Sequence, residues 1–367
     1  MASVEWSAVE QEDFLDHLFS TVYSTYSLLG IVLNTTLLYL IATHKHDCIR
    51  EYRILLGNST CTLILLSSLT FFLQLRFVVA GDSLGYVPLG PARFLNMPRL
   101  VLFCTSLMLT LDIYSFMTIT MCMVYKYLTL VGNSPSEKRL LVSIALFFLI
   151  PLSTGTALLI YDPDYAELYD ILERLRPEFE LSRYGNYSGL PNVKSIYVMY
   201  LIVVICSIGV SSYIVMITTG LKIRRHVLRN YSAMSAQNAR IFKLMIKALI
   251  IQSFMPVFFS FPTKILYFSV QFGAFRSMTA EYLMFAISPL VSVVDPCITM
   301  YFVLPYRRHI MRKLGLEKKV STIPIVEVEE QSRTSTTKGH LSPKCSTTHH
   351  SSDIRVLPHD SISHGSI

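Results

Sequence analysis

Charged side chains are scarce in this sequence. They make up 16% of the 367 residues, whereas apolar side chains make up 52% and the mean hydropathy is +0.46. Soluble domains of ordinary composition carry charge on about a quarter of their residues. A soluble surface on a chain of this length needs more charge than this, so the composition excludes an ordinary soluble protein and indicates a membrane protein.

Motifs of catalysis and of nucleic-acid binding are also missing. The sequence has no H-E-x-x-H, no C-x-x-C pair and no glycine-rich phosphate loop, and its soluble segments are too short for a catalytic domain. We therefore expect no enzyme activity and no cofactor. The net charge of +7 does not indicate a nucleic-acid partner, because the basic residues cluster on one side of the predicted spans, where membrane lipids and cytoplasmic partners lie.

Cysteine is missing from every segment that we place on the extracellular side of the membrane. The chain has seven scattered cysteines, Cys48, Cys61, Cys104, Cys122, Cys206, Cys297 and Cys345. No extracellular disulfide framework is therefore expected. The histidines near the C-terminus are interpreted as part of a solvated tail, so no metal site is expected either.

The chain does contain long apolar segments, and about 20 such residues are needed for one helix to cross a bilayer. The seven segments are 20–43, 54–80, 98–125, 140–160, 196–219, 244–271 and 279–304. The second is the least well defined, because Gln74 and Arg76 lie near its end. The predicted fold is an all-α membrane protein, a seven-transmembrane helix bundle.

The distribution of lysine and arginine predicts the orientation of this bundle. The segments 44–53, 126–139, 220–243 and 305–319 carry 18 of them, and the alternate segments carry 6. Basic loops stay in the cytoplasm. Residues 1–19 carry five acids and no lysine or arginine, so they lack the basic region of a signal peptide. We expect the N-terminus outside and the C-terminus inside.

These observations predict that the chain has four parts. They are an extracellular tail (1–19), a seven-transmembrane domain (20–304), a membrane-surface helix (305–319) and a disordered cytoplasmic tail (320–367) that has too few apolar residues to fold. The segment 305–319 places apolar residues toward one side of a basic helix, although a plain basic flank after the last span is the alternative. The longest outer loop, 161–195, predicts a short helix around 164–176 and a glycosylation site at Asn186.

The end of the seventh span reads DPCITMYFVLPYRR, residues 295–308. This motif resembles the same region of nematode serpentine chemoreceptors of the Str-type superfamily, and most of all its Srd-type branch. The sixth-span stretch LIIQSFMPVFFSFPTK, with Gln252, Pro256 and Pro262, is similar to that group too, and the likeness in layout covers roughly residues 20–316. It implies a G-protein-coupled receptor in the plasma membrane of sensory cilia that detects a small environmental or pheromonal molecule.

The sequence departs from rhodopsin-type receptors, so their activation switches are not carried over. The third span ends MVYKYLTL without an acid–arginine pair, and Tyr301 lies five residues after Pro296 rather than three. Two other classes remain as alternatives. A ligand-gated ion channel of the insect type would need the reverse orientation, and a small-solute transporter usually shows internal repeats, which we do not find.

Ionisable side chains inside a membrane span are costly and mark candidate functional sites. Asp112 lies near the middle of span three, and we predict that it binds the ligand together with Ser115 and Met108. The predicted apolar wall is formed by residues of span six, Phe254, Phe258 and Phe261. The alternative for Asp112 is a structural carboxyl that is kept protonated or is bonded to a hydroxyl of span two or span seven.

Three further polar residues predict a polar core. Asp295 of span seven is expected to face Asn34 or Asn58, and a structural cluster that ties the helices together is the favoured interpretation. Lys264 of span six is expected to extend toward the outer interface.

A basic surface at the cytoplasmic side predicts contact with a heterotrimeric G protein. The residues are Lys126, Arg224, Arg225 and Arg229, and in the stretch LKIRRHVLRN the arginines alternate with Ile223, Val227 and Leu228. This pattern predicts a helix with one charged and one apolar side. In the alternative interpretation, these charges only set the orientation of the chain.

Overall fold

Long apolar helices dominate the computed structural model, which describes residues 8–43, 50–177, 179, 181–185, 187–230, 247, 250–252, 254–255, 257–273, 277–313 and 315. The helices are α1 (Ala8–Thr43), α2 (Arg50–Leu73), α3 (Pro98–Leu130), α4 (Glu137–Tyr161), α5 (Tyr165–Leu175), α6 (Ile196–Asn230), α7 (Phe261–Gln271), α8 (Met278–Ala286), α9 (Val291–Phe302) and α10 (Leu304–Lys313). Three strands form a small sheet: β1 (Leu75–Ala80), β2 (Ser83–Pro88) and β3 (Ser188–Leu190).

Six stretches within the described residues are helical, long and apolar enough to cross a membrane. They are Val9–Thr43, Glu51–Leu73, Pro98–Leu130, Glu137–Tyr161, Ile196–Arg229 and Met278–Phe302. Each overlaps a predicted span. The remaining predicted span, 244–271, lies partly outside the described residues, and its described part includes α7. The count of seven spans therefore stays a prediction.

The first helix begins well before the predicted span at residue 20. Residues 8–19 continue α1 without a break, and their buried side chains lie on the same stripe as those of the apolar segment, from Glu12 and Leu15 to Phe19 and Tyr23. Residues 8–19 are thus part of the bundle end rather than a separate tail. The start of the first span was predicted at residue 20 because Glu12 and Asp16 are polar. Both side chains nevertheless contact Arg76 in the protein interior, as described below.

The second predicted span, 54–80, is wrong at its end. Helix α2 stops at Leu73, Gln74 adopts a left-handed conformation with φ 47°, and residues 75–80 form β1. Strand β1 pairs antiparallel with β2, and β2 pairs antiparallel with β3. An all-α class is therefore corrected to a helical bundle with a three-stranded sheet. A short apolar run does not distinguish a buried strand from the end of a helix, so LRFVVA was read as helix.

Helix α3 lies at the centre of the bundle and packs against α2, α4 and α6. The approach of α3 to α4 requires glycine at position 155, since a Cβ atom there would lie 2.3 Å from Oγ1 of Thr110. Ser106 donates a hydrogen bond from Oγ to the carbonyl oxygen of Gly155 at 2.7 Å. The central position of α3 places Asp112 in the interior of the bundle.

Two helices outside the spans lie where the sequence predicted them. The predicted helix around 164–176 is α5, and it begins after Asp164, whose side chain accepts hydrogen bonds from the backbone N–H groups of Ala166 and Glu167. The helix predicted over 305–319 is present as α10, and Tyr306 is buried against Leu37 and Leu40 of α1. Its position at a membrane surface stays a prediction. The predicted glycosylation site, Asn186, and the predicted tail, 320–367, lie outside the described residues.

Candidate functional site

A cavity of about 130 Å³ lies between α3, α6, α7, α8 and the sheet. The sheet contributes one side chain from β1, two from β2 and one from β3, which are Phe77, Leu84, Tyr86 and Leu190. All four are buried. Because alternate residues of a strand point to opposite faces, these four side chains make the sheet the roof of the cavity.

The opposite face of the sheet is covered by α5. Gly85 and Gly189 lie on that face, where Cβ atoms would contact Leu172 and Leu168, each at 3.0 Å. Both leucines are fully buried. The cavity is therefore separated from this end of the bundle, which we call the sheet end, by two layers: the sheet and α5.

The polar groups of the cavity lie mainly at its floor. Asp112 of α3 accepts a hydrogen bond from Oγ of Ser288 at Oδ1, with 2.8 Å between the oxygens. Lys264 of α7 also lines the cavity, and its ammonium group bonds to the hydroxyl and carbonyl oxygens of Ser260. Lys264 thus turns back along its own helix instead of extending toward the outer interface as predicted. The floor presents a carboxylate on one helix and an ammonium group on another.

The structure brings two of the predicted ligand residues together. Asp112 and Ser115 both line a second, smaller cavity of about 20 Å³ that shares Asp112 and Ser288 with the first. The hydroxyl of Ser115 donates to the backbone oxygen of Asp112 at 2.8 Å. Met108 is buried elsewhere, against Thr70, with 3.9 Å between Sδ and Oγ1.

The three predicted phenylalanines lie away from the cavity. Phe254 and Phe258 are 50% and 65% exposed, and Phe261 packs edge-on against Tyr213 with 5.4 Å between ring centroids. The aromatic walls come instead from other elements, as Phe77, Tyr86, Tyr267, Phe268 and Phe285. A role in ligand binding for the predicted residues stays a hypothesis, and of these six residues Asp112 alone lines the larger cavity.

The three residues of the predicted polar core have separate partners. Asn34 donates from Nδ2 to the backbone oxygen of Ser292 in α9 at 2.7 Å, and Asn58 donates to the hydroxyl of Tyr114 in α3 at 2.9 Å. The buried Asp295 accepts from Nε2 of Gln252 at 3.4 Å. Each of these bonds joins two helical segments, but Asp295 contacts Gln252 rather than Asn34 or Asn58.

Gln252 connects two opposite charges. Its Oε1 accepts a hydrogen bond from the ammonium group of Lys126 at 3.1 Å, while its Nε2 donates to Asp295. The ammonium group also lies 5.4 Å from the centroid of the Tyr52 ring. The amide thus links α3 and α9 through the predicted sixth span, and Lys126 is directed to this link rather than to the exposed arginines.

The arginines predicted to contact a G protein lie at the end of α6 that is far from the sheet. Arg224, Arg225 and Arg229 are exposed, while Ile223 and Val227 are buried one turn apart. Leu228, which was predicted on the apolar side, is 62% exposed. The apolar side of this helix is therefore narrower than predicted, and the arginines form an exposed basic surface.

A buried charge network lies at the sheet end, beside the roof. Arg76 of β1 is fully buried, and its Nη1 lies 2.5 Å from Oε1 of Glu12 in α1, which is also fully buried. Nη2 of Arg76 lies 3.6 Å from Oε2 of Glu281 in α8, and Arg176 contacts the other oxygen of Glu281 at 2.6 Å. The two guanidinium groups stack on the ring of Phe179 at 4.6 Å and 4.4 Å. The network joins α1, β1, α8 and the segment after α5.

The same network includes a tyrosine that stays protonated. Tyr184 donates to Asp16 and lies 3.1 Å from Oε1 of Glu12, and Arg183 bonds to its hydroxyl oxygen at 3.0 Å. Burial, followed by the nearby Asp16 carboxylate, raises the pKa of Tyr184 above its ordinary value. Burial lowers the pKa of Arg76, but Tyr282 and Glu12 outweigh this and raise it, so the guanidinium stays charged. The guanidinium groups of Arg76 and Arg176 lie within ion-pair distance of the carboxyl groups of Glu12 and Glu281.

Sequence reasoning missed the roof and the charge network. The signal for the roof was the pair Gly81-Asp82 between two six-residue runs, which is typical of a hairpin. Gly81 adopts φ 58° in the turn. The position of Arg76 within an apolar run indicated that it needs a buried acidic partner. The neighbouring sequence did not indicate that this partner is Glu12 or Glu281.

The sequence of this chain is similar to a family of known proteins. The family model described as serpentine type 7TM GPCR chemoreceptor Srd matches residues 19–312. Serpentine receptor class delta-32 of Caenorhabditis elegans is 24% identical over 86% of this chain and 92% of its own length. Serpentine receptor class delta-18 of the same organism is 28% identical over 82% of this chain and 90% of its own.

A solved structure is also similar. The crystal structure of squid rhodopsin matches with a TM-score of 0.48 and 13% identity, over 83% of this chain and 86% of that one. The family model, which covers most of the chain, decides the assignment, and the six apolar helices within the described residues agree with it. The chain is a multi-pass membrane protein that belongs to the Srd family of serpentine chemoreceptors.

Proposed function

We propose that this chain is a chemosensory G-protein-coupled receptor that binds a small environmental or pheromonal molecule in the cavity under the sheet. The observation that carries the proposal is the position of Asp112. Among the described side chains that line this cavity it is the only carboxylate, and it is bonded to Ser288 just before α9. A ligand that binds there contacts α3, α6, α7 and α8 at once.

The size and lining of the cavity limit the ligand. Pockets for drug-sized ligands typically enclose about 300–1,000 Å³, whereas this cavity encloses about 130 Å³. An engineered protein cavity of about 150 Å³ holds benzene. The ligand class is therefore a small and mostly apolar molecule with one hydrogen-bonding group that is directed toward Asp112 or Lys264.

The signalling partner is a heterotrimeric G protein that contacts the end of the bundle opposite the sheet. The exposed arginines 224, 225 and 229 support this assignment, because they form a basic surface on the last turns of α6. The Lys126–Gln252–Asp295 link lies between the cavity and this end. We assign the sheet end to the outside of the plasma membrane and, from the family resemblance, place the receptor in sensory cilia.

The test is a screen of small volatile and lipophilic molecules on cells that express the chain, with calcium and cyclic nucleotide as readouts. A Phe77→Trp variant, which fills the cavity from its roof, is the matched control at equal surface expression. We expect at least one compound that activates the original chain and not this variant. An agonist current that persists when G proteins are blocked would contradict the receptor mechanism and support the ion channel instead.

A further inference from the structure

We propose that the ligand reaches the cavity sideways from the lipid, through a gap between α6 and α7, and not from the water at the sheet end. We call this opening the lateral gap, and it is bordered by Ile202, Ile205 and Cys206 of α6 and by Lys264, Tyr267 and Phe268 of α7. The inference rests on the proposed function, and it restricts the ligand class to uncharged, lipophilic molecules.

The roof closes the route from the sheet end. Strands β1, β2 and β3 are joined by antiparallel hydrogen bonding, and α5 covers them through the buried leucines 168 and 172. A polar depression of about 370 Å³ does exist at this end, lined by residues such as Asp13, His17 and Arg93. It shares no lining residue with the cavity.

The charge network holds this roof in place. Arg76 is next to Phe77 in β1, and it is tied to Glu12 of α1 and Glu281 of α8. Phe77 lines the cavity and packs on Phe285 of α8 with 5.6 Å between ring centroids. To lift β1 from the cavity, the protein would have to separate a fully buried guanidinium from its carboxylates, which is strongly unfavourable.

The burial of the cavity walls shows where the opening lies. The roof side chains and those of α8, Met284 and Phe285, are buried. The six residues that border the lateral gap are only half-buried, as are Leu109 and Asp112 on the central helix α3. Toward the sheet end the gap closes at the buried Val198 and Leu201, and in the other direction it closes at the contact between Tyr213 and Phe261. We infer that, among the residues that the structure describes, the side wall of the cavity opens between these two points.

The surface around the lateral gap is apolar. Val203 and Val210 of α6 and Ile265 of α7 are 57%, 57% and 65% exposed. Helix α6 is long and apolar enough to cross the membrane, so we place these exposed side chains against the hydrocarbon of the bilayer. A molecule that uses this route must first dissolve in the bilayer. A charged ligand is disfavoured, because placing a charged group near the centre of a bilayer costs several kcal/mol.

Cys206 provides a reporter, because it borders the lateral gap and is a free thiol. The receptor is reconstituted in lipid nanodiscs and treated with N-hexadecylmaleimide, which is confined to the bilayer, or with a trimethylammonium methanethiosulfonate, which stays in water. Modification of each cysteine is followed by peptide mass spectrometry in the otherwise unchanged chain. Cys297, which is exposed on the span containing α9, checks that the alkyl maleimide is active. An Asp82→Cys variant in the exposed turn of the hairpin checks the charged reagent.

We expect the alkyl maleimide to modify Cys206 and the charged reagent to modify it at least tenfold more slowly than the thiol introduced at position 82. Two results would overturn the proposal: a charged reagent that reaches Cys206 as fast as position 82, or an alkyl maleimide that modifies Cys297 but not Cys206. A matching Ile202→Trp variant, which narrows the gap, should slow the alkyl maleimide at Cys206 alone. The labelling needs no agonist, so its failure is distinct from failure of the receptor screen.

Discussion

The hydroxyl of Ser288 donates a hydrogen bond to Oδ1 of Asp112, with 2.8 Å between the two oxygens. Asp112 belongs to α3, and Ser288 begins the short 3-10 turn that separates α8 from α9. A ligand in the cavity that bonds to Asp112 competes with this contact or extends it. If the ligand binds as proposed, this contact would connect it to the start of α9, which carries Asp295.

The first prediction concerns this carboxylate. The Asp112→Asn variant keeps an acceptor for Ser288 but loses the charge that faces the ligand. We expect the concentration–response curve to shift at least tenfold, about 1.4 kcal/mol, with surface expression retained. The Ser288→Ala variant should shift it less. If the Asp112→Asn receptor responds to every agonist at unchanged concentration, Asp112 is structural.

The second prediction concerns orientation. Residues 1–19 carry five acids and no lysine or arginine, and α1 brings Glu12 and Asp16 to the sheet end. An epitope tag at the N-terminus should stain on intact cells, whereas a tag at the C-terminus should stain only after permeabilisation. The reverse result would favour the ion channel over the receptor.

The third prediction concerns the basic surface. Neutralising Arg225 and Arg229 together should abolish G-protein signalling while agonist binding and surface expression persist, because both side chains are exposed. The matched control neutralises Arg99 and Lys194, two exposed residues at the sheet end. The idea fails if signalling at equal surface levels is the same in both double variants.

The fourth prediction concerns the charge network. An Arg76→Met change leaves Glu12 and Glu281 buried with fewer cationic partners, and breaking a buried pair in this way costs roughly 3–5 kcal/mol. We expect a clear loss of thermal stability in detergent. Arg183, whose side chain is 27% exposed, should tolerate the same change with a loss of about 1 kcal/mol. Equal melting temperatures for the two variants would show that the Arg76 contacts do not support the fold.

The fifth prediction concerns Gln252. The Gln252→Leu change keeps a similar volume but removes the amide that bonds to Lys126 and Asp295, so signalling without ligand should rise as the predicted sixth span is released from α3 and α9. Loss of buried hydrogen bonds should also lower stability by about 1–3 kcal/mol. The control is Gln271→Leu, since Gln271 bonds to the carbonyl oxygen of Gly81 at the sheet end. Basal second-messenger levels that match this control would exclude a role for Gln252 in holding the inactive state.

The sequence was sufficient to predict those features that are determined by residues close together along the chain. A run of about 20 apolar residues has few options other than a membrane span, so six spans were placed where the structure has apolar helices. The short helix α10 was predicted from its local amphipathic pattern, and α5 lies where a short helix was predicted in the longest outer loop. Asp112 was found because an acid inside such a run is unusual, whatever its partner is.

Only the tertiary structure determined which side chains contact each other. Asp112 and Ser288 are separated by 176 residues and Arg76 and Glu12 by 64, and no local pattern records that these side chains meet. The same holds for residues 75–80, which are apolar enough for a helix and became a strand because β2 satisfies their backbone groups. Hydrophobic periodicity determines which segments are buried, whereas the pairing of buried polar groups is determined by which segments pack together in three dimensions.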